Sequence, residues 1–348
     1  MAQKYFILMN LAIYLSNFFI MKKILGIGNA LVDIMTSMDD DSFLNKYSLP
    51  KGSMQMVDRD KSVLINTDSG KFNKIITSGG SSANTIYGLG MLGIETGFIG
   101  SIGIDTMGDF FEKEMSSAGI ITKFFRRETP TGVAIALISP DSERTFATYL
   151  GAAVELNPSD LDEVFFSRYD MLYLEGYLIF NRPLIEKACM LAKSLNMEVV
   201  LDLASYNVVE AKLSDFREIV SKYVDILIAN SEEAKSFTGS DNIEALHEIS
   251  KMSHVAIIKN GGEGSIIKNH DEIIKIEAVP ANVCDTTGAG DSYAAGFLYG
   301  YSLNYPLHVC GKIGSLLAAK IIETIGARLP TEMWNEIKLN IAGIANKK

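Results

Sequence analysis

Asp285-Thr286-Thr287-Gly288-Ala289-Gly290-Asp291, followed by the helix-like run Ser292–Tyr301, is the stretch from which the rest of the chain is read. Small residues just ahead of a helix expose several backbone N–H groups, and the helix dipole adds positive potential there. Such a nest suits an anion, above all a phosphoryl-like transition state. Asp291 falls in the first helical turn, where it could accept the proton of an attacking alcohol. The plain alternative is a capped helix with a tight glycine turn. Two aspartates flanking Gly288-Ala289-Gly290 speak against it.

Outward from this stretch, short apolar runs alternate with amphipathic ones. Ile24–Gly28, Gly97–Ser101, Met171–Leu174, Glu198–Leu201, Ile226–Ala229 and Val255–Ile258 predict buried strands. Ser82–Leu92, Met107–Ser117, Pro183–Ser194, Glu232–Phe237, Ala289–Gly300 and Pro306–Thr324 predict helices. The alternation implies an α/β fold, a mostly parallel central sheet with helices on both faces. Two stretches break the rhythm, about 33–57 and 121–150. Within the second, Thr131–Ser139 and Thr145–Tyr149 read as a hairpin around Ser139-Pro140-Asp141-Ser142. Paired together, the two stretches would form a small β-sheet lid that excludes water from a cleft.

Four more polar segments follow predicted strands or open predicted helices. In Gly79-Gly80-Ser81-Ser82-Ala83-Asn84 the glycines permit close backbone approach and Asn84 offers a donor and an acceptor to hydroxyls; a loop capped by Ser81 or Ser82 is the alternative. In Gly28-Asn29-Ala30-Leu31-Val32-Asp33, Asn29 and Asp33 could reach the mouth of the sheet, where open α/β folds bind ligands, or Asn29 could simply hold its own turn. Asn230 and Glu233 of Asn230-Ser231-Glu232-Glu233 could organise waters on Mg²⁺, or could cap a helix. Lys259-Asn260-Gly261-Gly262-Glu263-Gly264 would let the backbone approach a nucleotide, or would be a glycine-rich hairpin turn.

Composition narrows the partners. Of 348 residues, 47% are hydrophobic and 21% charged, so a large core is available. The net charge is -10, with no Lys/Arg-rich stretch, which argues against nucleic acid and for a small molecule. Cys189, Cys284 and Cys310 form no metal-like or paired spacing, as expected of a reduced, cytoplasmic protein. Residues 1–20 contain the apolar stretch Tyr5–Ile20, broken by Asn10 and Asn17. It is short for a membrane span and lacks a clear cleavage site, so it reads as a leader or as an over-extended start ahead of Met21. Gly88-Leu89-Gly90-Met91-Leu92-Gly93 matches a dinucleotide fingerprint but ends a helix instead of opening one. The histidines His247, His254, His270 and His308 are scattered.

Together the motifs resemble the ribokinase (PfkB) superfamily of carbohydrate and nucleoside kinases, from about Met21 to about Pro330. DTTGAGD at Asp285–Asp291 is similar to its C-terminal signature, GGSSAN at Gly79–Asn84 to its N-terminal one, and NSEE at Asn230–Glu233 to its NxxE element. The resemblance implies one kinase domain over 21–345 with a β-sheet lid, using ATP and Mg²⁺. It implies Asp291 as general base and the Gly288, Ala289 and Gly290 amides as the anion hole. Asn29, Asp33, Gly79, Gly80 and Asn84 would surround the acceptor. Asn230, Glu233, Lys259, Gly261 and Gly264 would lie near the nucleotide phosphates, with Glu233 reaching Mg²⁺ through water, and Ser315 and Ala319 would border the adenine. Lys259 stands where the family often has Thr. Gly28-Asn29 with Asp33, Phe43–Leu49, Ile102–Gly108 and Pro130-Thr131-Gly132 look like the adenosine-kinase branch, in which Arg144 would be a lid residue approaching phosphates. Phe124, Phe146 and Tyr149 would either stack on a base or form lid core. A nucleoside acceptor, a sugar such as ribose or fructose, and a non-catalytic binding protein on the same fold all stay open. A lid edge could pair between two copies to give a homodimer.

Overall fold

Neighbouring residues of the first strand, Ile24–Ile27, are buried on opposite sides: Ile24 joins one apolar cluster, Leu25 and Ile27 another. Side chains alternate along a strand, so one that is apolar at every position must be covered on both faces. The same holds for Leu227 and Ile228, and for Ala256 and Ile257. The structure is a computed structural model and describes residues 21–141 and 143–346. The readings of residues 1–20, and of Ser142 in the expected turn, lie outside the described residues.

In chain order the strands are β1 (Ile24–Ile27), β2 (Leu31–Ser37), β3 (Met54–Met56), β4 (Lys74–Gly79), β5 (Thr96–Gly103), β6 (Ile121–Arg127), β7 (Gly132–Ile138), β8 (Arg144–Tyr149), β9 (Met171–Glu175), β10 (Glu198–Asp202), β11 (Ile226–Asn230), β12 (Val255–Lys259), β13 (Ser265–Asn269) and β14 (Glu272–Ile276). Nine form one sheet in the order β14-β13-β12-β11-β10-β9-β1-β5-β6, and five form a second in the order β3-β8-β7-β2-β4. In the large sheet, β6 through β12 run parallel, and β13 and β14 turn back as antiparallel hairpins. Helices Ser81–Leu92, Ala289–Ser302 and Leu307–Ile321 cover one face, and Arg182–Ser194, Leu213–Tyr223 and Asn242–Ile249 the other. The mixed α/β architecture inferred from the alternation is the one observed.

The boundaries of the small sheet differ from those expected. Ile121–Arg127 pairs with β5 as an edge of the large sheet, because its Phe124 packs into the core against Phe98 and Phe111. Lys74–Gly79, outside both expected lid stretches, pairs with β2 in the small sheet. The hairpin of β7 and β8 is present as expected. One face of the small sheet rests on its own cluster, with Ile135, Leu137 and Ala147 against Phe43, Leu44, Tyr47 and Ile65.

The chain crosses between the sheets at short junctions: β1 to β2, β4 to the helix Ser81–Leu92, β6 to β7, and after β8. The β6–β7 junction is tied by Asp105. Its carboxylate accepts from the Thr131 N–H (2.8 Å), the Thr131 hydroxyl (2.7 Å) and the Gly108 N–H (2.8 Å). This is a local structural job for Ile102–Gly108 and Pro130-Thr131-Gly132. The glycine triplet at Gly88–Gly93 ends its helix, with Gly93 in the left-handed C-cap conformation, and carries no dinucleotide geometry.

Candidate active site

Helix Ala289–Ser302 begins behind Gly288, whose φ of 74° is left-handed. A Cβ there would stand 2.8 Å from the Ala327 backbone, so glycine is required on both counts. No side chain caps this helix. The Ala289 N–H turns back to Thr286 O at 3.2 Å, so of the three amides expected in the anion hole, this one already has an acceptor. The amides of the next residues have no intrahelical partner and form the open end of the nest.

Asp291, in that first turn, meets the N-terminus of a second helix. Its Oδ1 accepts from the Ser81 hydroxyl at 2.7 Å and its Oδ2 from Asn84 Nδ2 at 3.0 Å. The Thr85 hydroxyl donates to the Asp291 carbonyl at 3.2 Å. Gly80 makes this approach possible: at φ 92° it turns the chain from β4 into the helix, and a Cβ on it would strike Asn29 O at 2.2 Å. Burial raises the Asp291 pKa above the usual carboxylate range, against the lowering effect of Asn84 and Ser81. A base with a raised pKa holds a proton more readily, which suits it to take one from an alcohol. Asn84, expected at the acceptor, is thus engaged with Asp291. Its Oδ1 accepts from Arg328 Nε at 3.4 Å, and the Arg328 guanidinium lies 4.1 Å over the Tyr87 ring. Asp33 and Gly79 lie together behind this layer and, like Asn84, do not line the cleft. Burial pushes Asp33 up to about 7, with Arg328 opposing the shift and Asp291 adding to it.

Glu175, like Asp202, lines the cleft but was not singled out in the sequence. It is 1% exposed and ends β9. Its Oε1 accepts from Asn29 N (3.0 Å) and Asn29 Nδ2 (2.6 Å), and its Oε2 from Ser82 N (2.9 Å). One carboxylate therefore joins the β1–β2 junction to the helix that holds Asp291. Burial pushes it up to about 7, opposed by the Ser82 and Asn29 hydrogen bonds. The one signal in the sequence is a glutamate closing the wholly apolar run Met171–Leu174.

Along the same sheet edge, each successive strand ends in a polar residue: Glu175 on β9, Asp202 on β10, Asn230 on β11 and Lys259 on β12. Asn230 and Glu233 form a reciprocal capping box at the helix Ser231–Thr238, with Asn230 Nδ2 donating to Glu233 Oε1 at 2.7 Å. The capping alternative therefore describes their local contacts. Burial pushes Glu233 up to about 7, against Lys259. The Gly261–Glu263 segment is the turn of the β12–β13 hairpin, and Gly261 and Gly264 line the cleft from it. The Ser315 hydroxyl donates to Glu277 O at 3.0 Å and accepts from Val279 N at 3.2 Å, so with Ala319 it shapes the cleft wall beside that loop. Arg144 does not line the cleft. It pairs with Asp285 and donates to the Thr287 hydroxyl at 3.2 Å, bridging the small sheet to the glycine loop. Among the described residues no cluster of three metal-ligating side chains occurs. A metal ion would fit here only if it arrived on phosphates with water ligands, which Glu233 and Asp202 could accept from.

Apart from Asp33, Gly79, Asn84 and Arg144, these site residues face one cleft of about 1890 Å³. The glycine loop, Lys259 and Glu233 form its polar end. Leu31, Met54, Met56, Phe146, Leu150 and Val154 form an apolar wall under the small sheet, and Asn29, Glu175 and Asp291 lie between. Of the three candidate stacking aromatics, Phe146 alone lines the cleft; Phe124 is core and Tyr149 flanks the junction at Gly151. No helix among the described residues is long and apolar enough to cross a membrane.

Residues 69–334 match the pfkB family carbohydrate kinase. A sugar kinase of Archaeoglobus fulgidus is 30% identical, covering 69% of this chain and 96% of its own. The 5-dehydro-2-deoxygluconokinase of Bacillus licheniformis is 31% identical, covering 72% and 82%. Among solved structures, the adenosine kinase of Sinorhizobium meliloti superposes with a TM-score of 0.84 at 32% identity, covering 92% of this chain and 99% of its own. A probable sugar kinase of Rhizobium etli gives 0.85 at 31%, covering 93% and 99%.

Proposed function

The chain belongs to the pfkB family of carbohydrate kinases and is a phosphotransferase with an alcohol acceptor, and we propose that its acceptor is a nucleoside of the adenosine type, phosphorylated on its hydroxymethyl group by ATP. The observation that carries this reading is the apolar wall with Phe146 beside the polar group of Asn29, Glu175 and Asp291. A purine offers this wall a broad, flat, apolar face to pack on, whereas a free sugar offers only the small C–H faces of one ring. The likeness to the Sinorhizobium meliloti adenosine kinase supports the same reading. A sugar acceptor is the second reading, favoured by the relatedness to the 5-dehydro-2-deoxygluconokinase of Bacillus licheniformis.

In this mechanism the acceptor hydroxyl lies against Asp291, held on its other side by Ser81 and Asn84. The acceptor oxygen forms a bond to the γ-phosphorus as the bond from phosphorus to the β,γ-bridging oxygen breaks. The electron pair leaves with ADP, and the hydroxyl proton passes to Asp291. The open amides at Gly290 and Asp291 stabilise charge on the transferring group, so positioning and electrostatics carry most of the rate. Mg²⁺ would be held by the ATP phosphates and by water on Glu233, where it supplies charge neutralisation. The small sheet acts as the lid. Its exposed edges, β3 and β4, are where a second copy would pair. Three unpaired cysteines and an ATP substrate fit a cytoplasmic site of action.

The test is ADP release from ATP and Mg²⁺ across a panel of nucleosides and sugars. Adenosine-dependent release, absent with ribose, fructose and 5-dehydro-2-deoxygluconate, is the expected result. Release with a free sugar alone replaces the nucleoside reading with the sugar one.

A further inference from the structure

Lys259 is the last residue of β12, and its side chain has no part in the mechanism above. Its Nζ lies 2.9 Å from Asp202 Oδ2, at the end of β10. The same nitrogen is 3.1 Å from where a Cβ on Gly290 would stand. The ammonium therefore rests against the first turn of the helix whose amides form the nest. Both partners are largely enclosed, with side chains 14% and 4% exposed.

An ammonium carries three donors. Among the described residues Lys259 makes a single side-chain hydrogen bond, to Asp202, and it lines the cleft. Two donors are therefore left facing the place where phosphate oxygens would arrive. A buried ion pair contributes little net stability by itself, so packing does not account for this lysine. Charged groups converge on it from three other elements: Asp202 from β10, Glu233 from the helix Ser231–Thr238, and Asp291 from the helix Ala289–Ser302. Burial works against the ammonium, but the carboxylates outweigh it and raise its pKa, so it stays charged.

We propose that Lys259 is a catalytic residue whose ammonium pairs with the γ-phosphoryl oxygens of ATP, and that Asp202 is the positioning residue that holds it beside the nest until they arrive. This rests on the kinase reading above. The pair is an ammonium aimed in advance at developing charge, which costs no reorganisation at the moment of transfer. A threonine at this position would offer a hydroxyl but no charge.

The test is titration calorimetry on the full chain with Mg²⁺, using ADP and adenosine 5′-(β,γ-imido)triphosphate, which requires no acceptor. Lys259→Met should weaken the triphosphate analogue by about tenfold or more and ADP by less than about threefold, since ADP lacks the contacted group. Lys259→Arg should lie between the two. The double variant Lys259→Met/Asp202→Asn removes both buried charges and restores neutrality, so it guards against misfolding of the single variant. It should stay as deficient toward the analogue as Lys259→Met. Analogue binding within about threefold of the parent in either variant, or an equal loss for ADP and analogue, overturns the proposal by the same arithmetic. A parent protein that binds neither nucleotide breaks the kinase reading itself and removes the proposal with it.

Discussion

The two ends of the cleft are built differently. The proposed phosphate end, opposite the proposed acceptor end, stands on the edge of the nine-stranded sheet, with Asp202, Asn230 and Lys259 fixed at the ends of strands buried on both faces. Its groups are backbone amides and side chains held by hydrogen bonds and one ion pair, Lys259 with Asp202. The acceptor end hangs from a five-stranded sheet with one small cluster behind it, and there Met54 and Met56 are 50% and 55% exposed. A thin layer with much of its apolar surface uncovered opens at low cost, whereas a doubly covered sheet does not. On the proposed function, the difference would put chemistry at the rigid end and selection, with closure, at the thin one.

The sharpest way to break this division is Asp291→Asn. The carboxylate stands between the two ends, on the helix that opens from the rigid one, and is buried among Ser81, Asn84 and Thr85. Loss of the proton acceptor should lower kcat by about a thousandfold, within the span of general-base contributions. The unfolding temperature should barely move, because an uncharged amide replaces a carboxylate that burial already disfavours in its charged form. Turnover near that of the parent enzyme removes Asp291 from the chemistry. A large fall in unfolding temperature makes it a structural residue instead.

The same division explains what the sequence made legible. The phosphate end is backbone chemistry, which requires particular residues: glycine at 288 and 290 and small residues before a helix. DTTGAGD could therefore be read on its own, and so could the alternation of strands and helices. Contacts between distant segments left no local trace. Glu175 meets Asn29 and Ser82 across most of the N-terminal half of the chain, and Asp202 meets Lys259 across the intervening strand β11. In each case the sequence offers only a charged residue closing an apolar run. The small sheet was the least legible part. Beyond the β7–β8 hairpin, its strands are drawn from three further segments, and pairing between such segments is set by tertiary context more than by propensity. Ile121–Arg127 accordingly reads as lid strand but belongs to the large sheet.

Phe146 sharpens the comparison from the thin end. It sits on β8 opposite Met54 and lines the apolar wall. Phe146→Ala should raise the KM for a nucleoside by about tenfold and leave kcat within about threefold, the scale of one lost apolar contact. Nucleotide affinity should be unchanged, because the phosphate end does not touch this wall. Steady-state kinetics with the acceptor varied at saturating ATP reads both constants. A fall in kcat with unchanged KM would put Phe146 in the chemistry and erase the distinction between the two ends.

The smallest effect concerns the junction between them. Glu175 has a folded pKa pushed up to about 7 from the ordinary value of 4.5, with burial the leading cause. A carboxyl whose folded pKa exceeds its unfolded one is at its most favourable for folding below the unfolded pKa. That contribution is lost as pH rises toward the folded value, at about 1.4 kcal/mol per pKa unit. Gln at this position does not titrate. The unfolding temperature of Glu175→Gln, less that of the parent, should therefore become more positive across the window from about 4.5 to about 7, by a few degrees, and level off above it. Asp33 and Glu233 titrate in the same window but are common to both proteins and cancel in the difference. A difference that stays flat would mean that Glu175 is charged throughout, its three donors outweighing its burial. The junction would then be rigidly polar, and the thin sheet would hang from a clamp instead of a hinge.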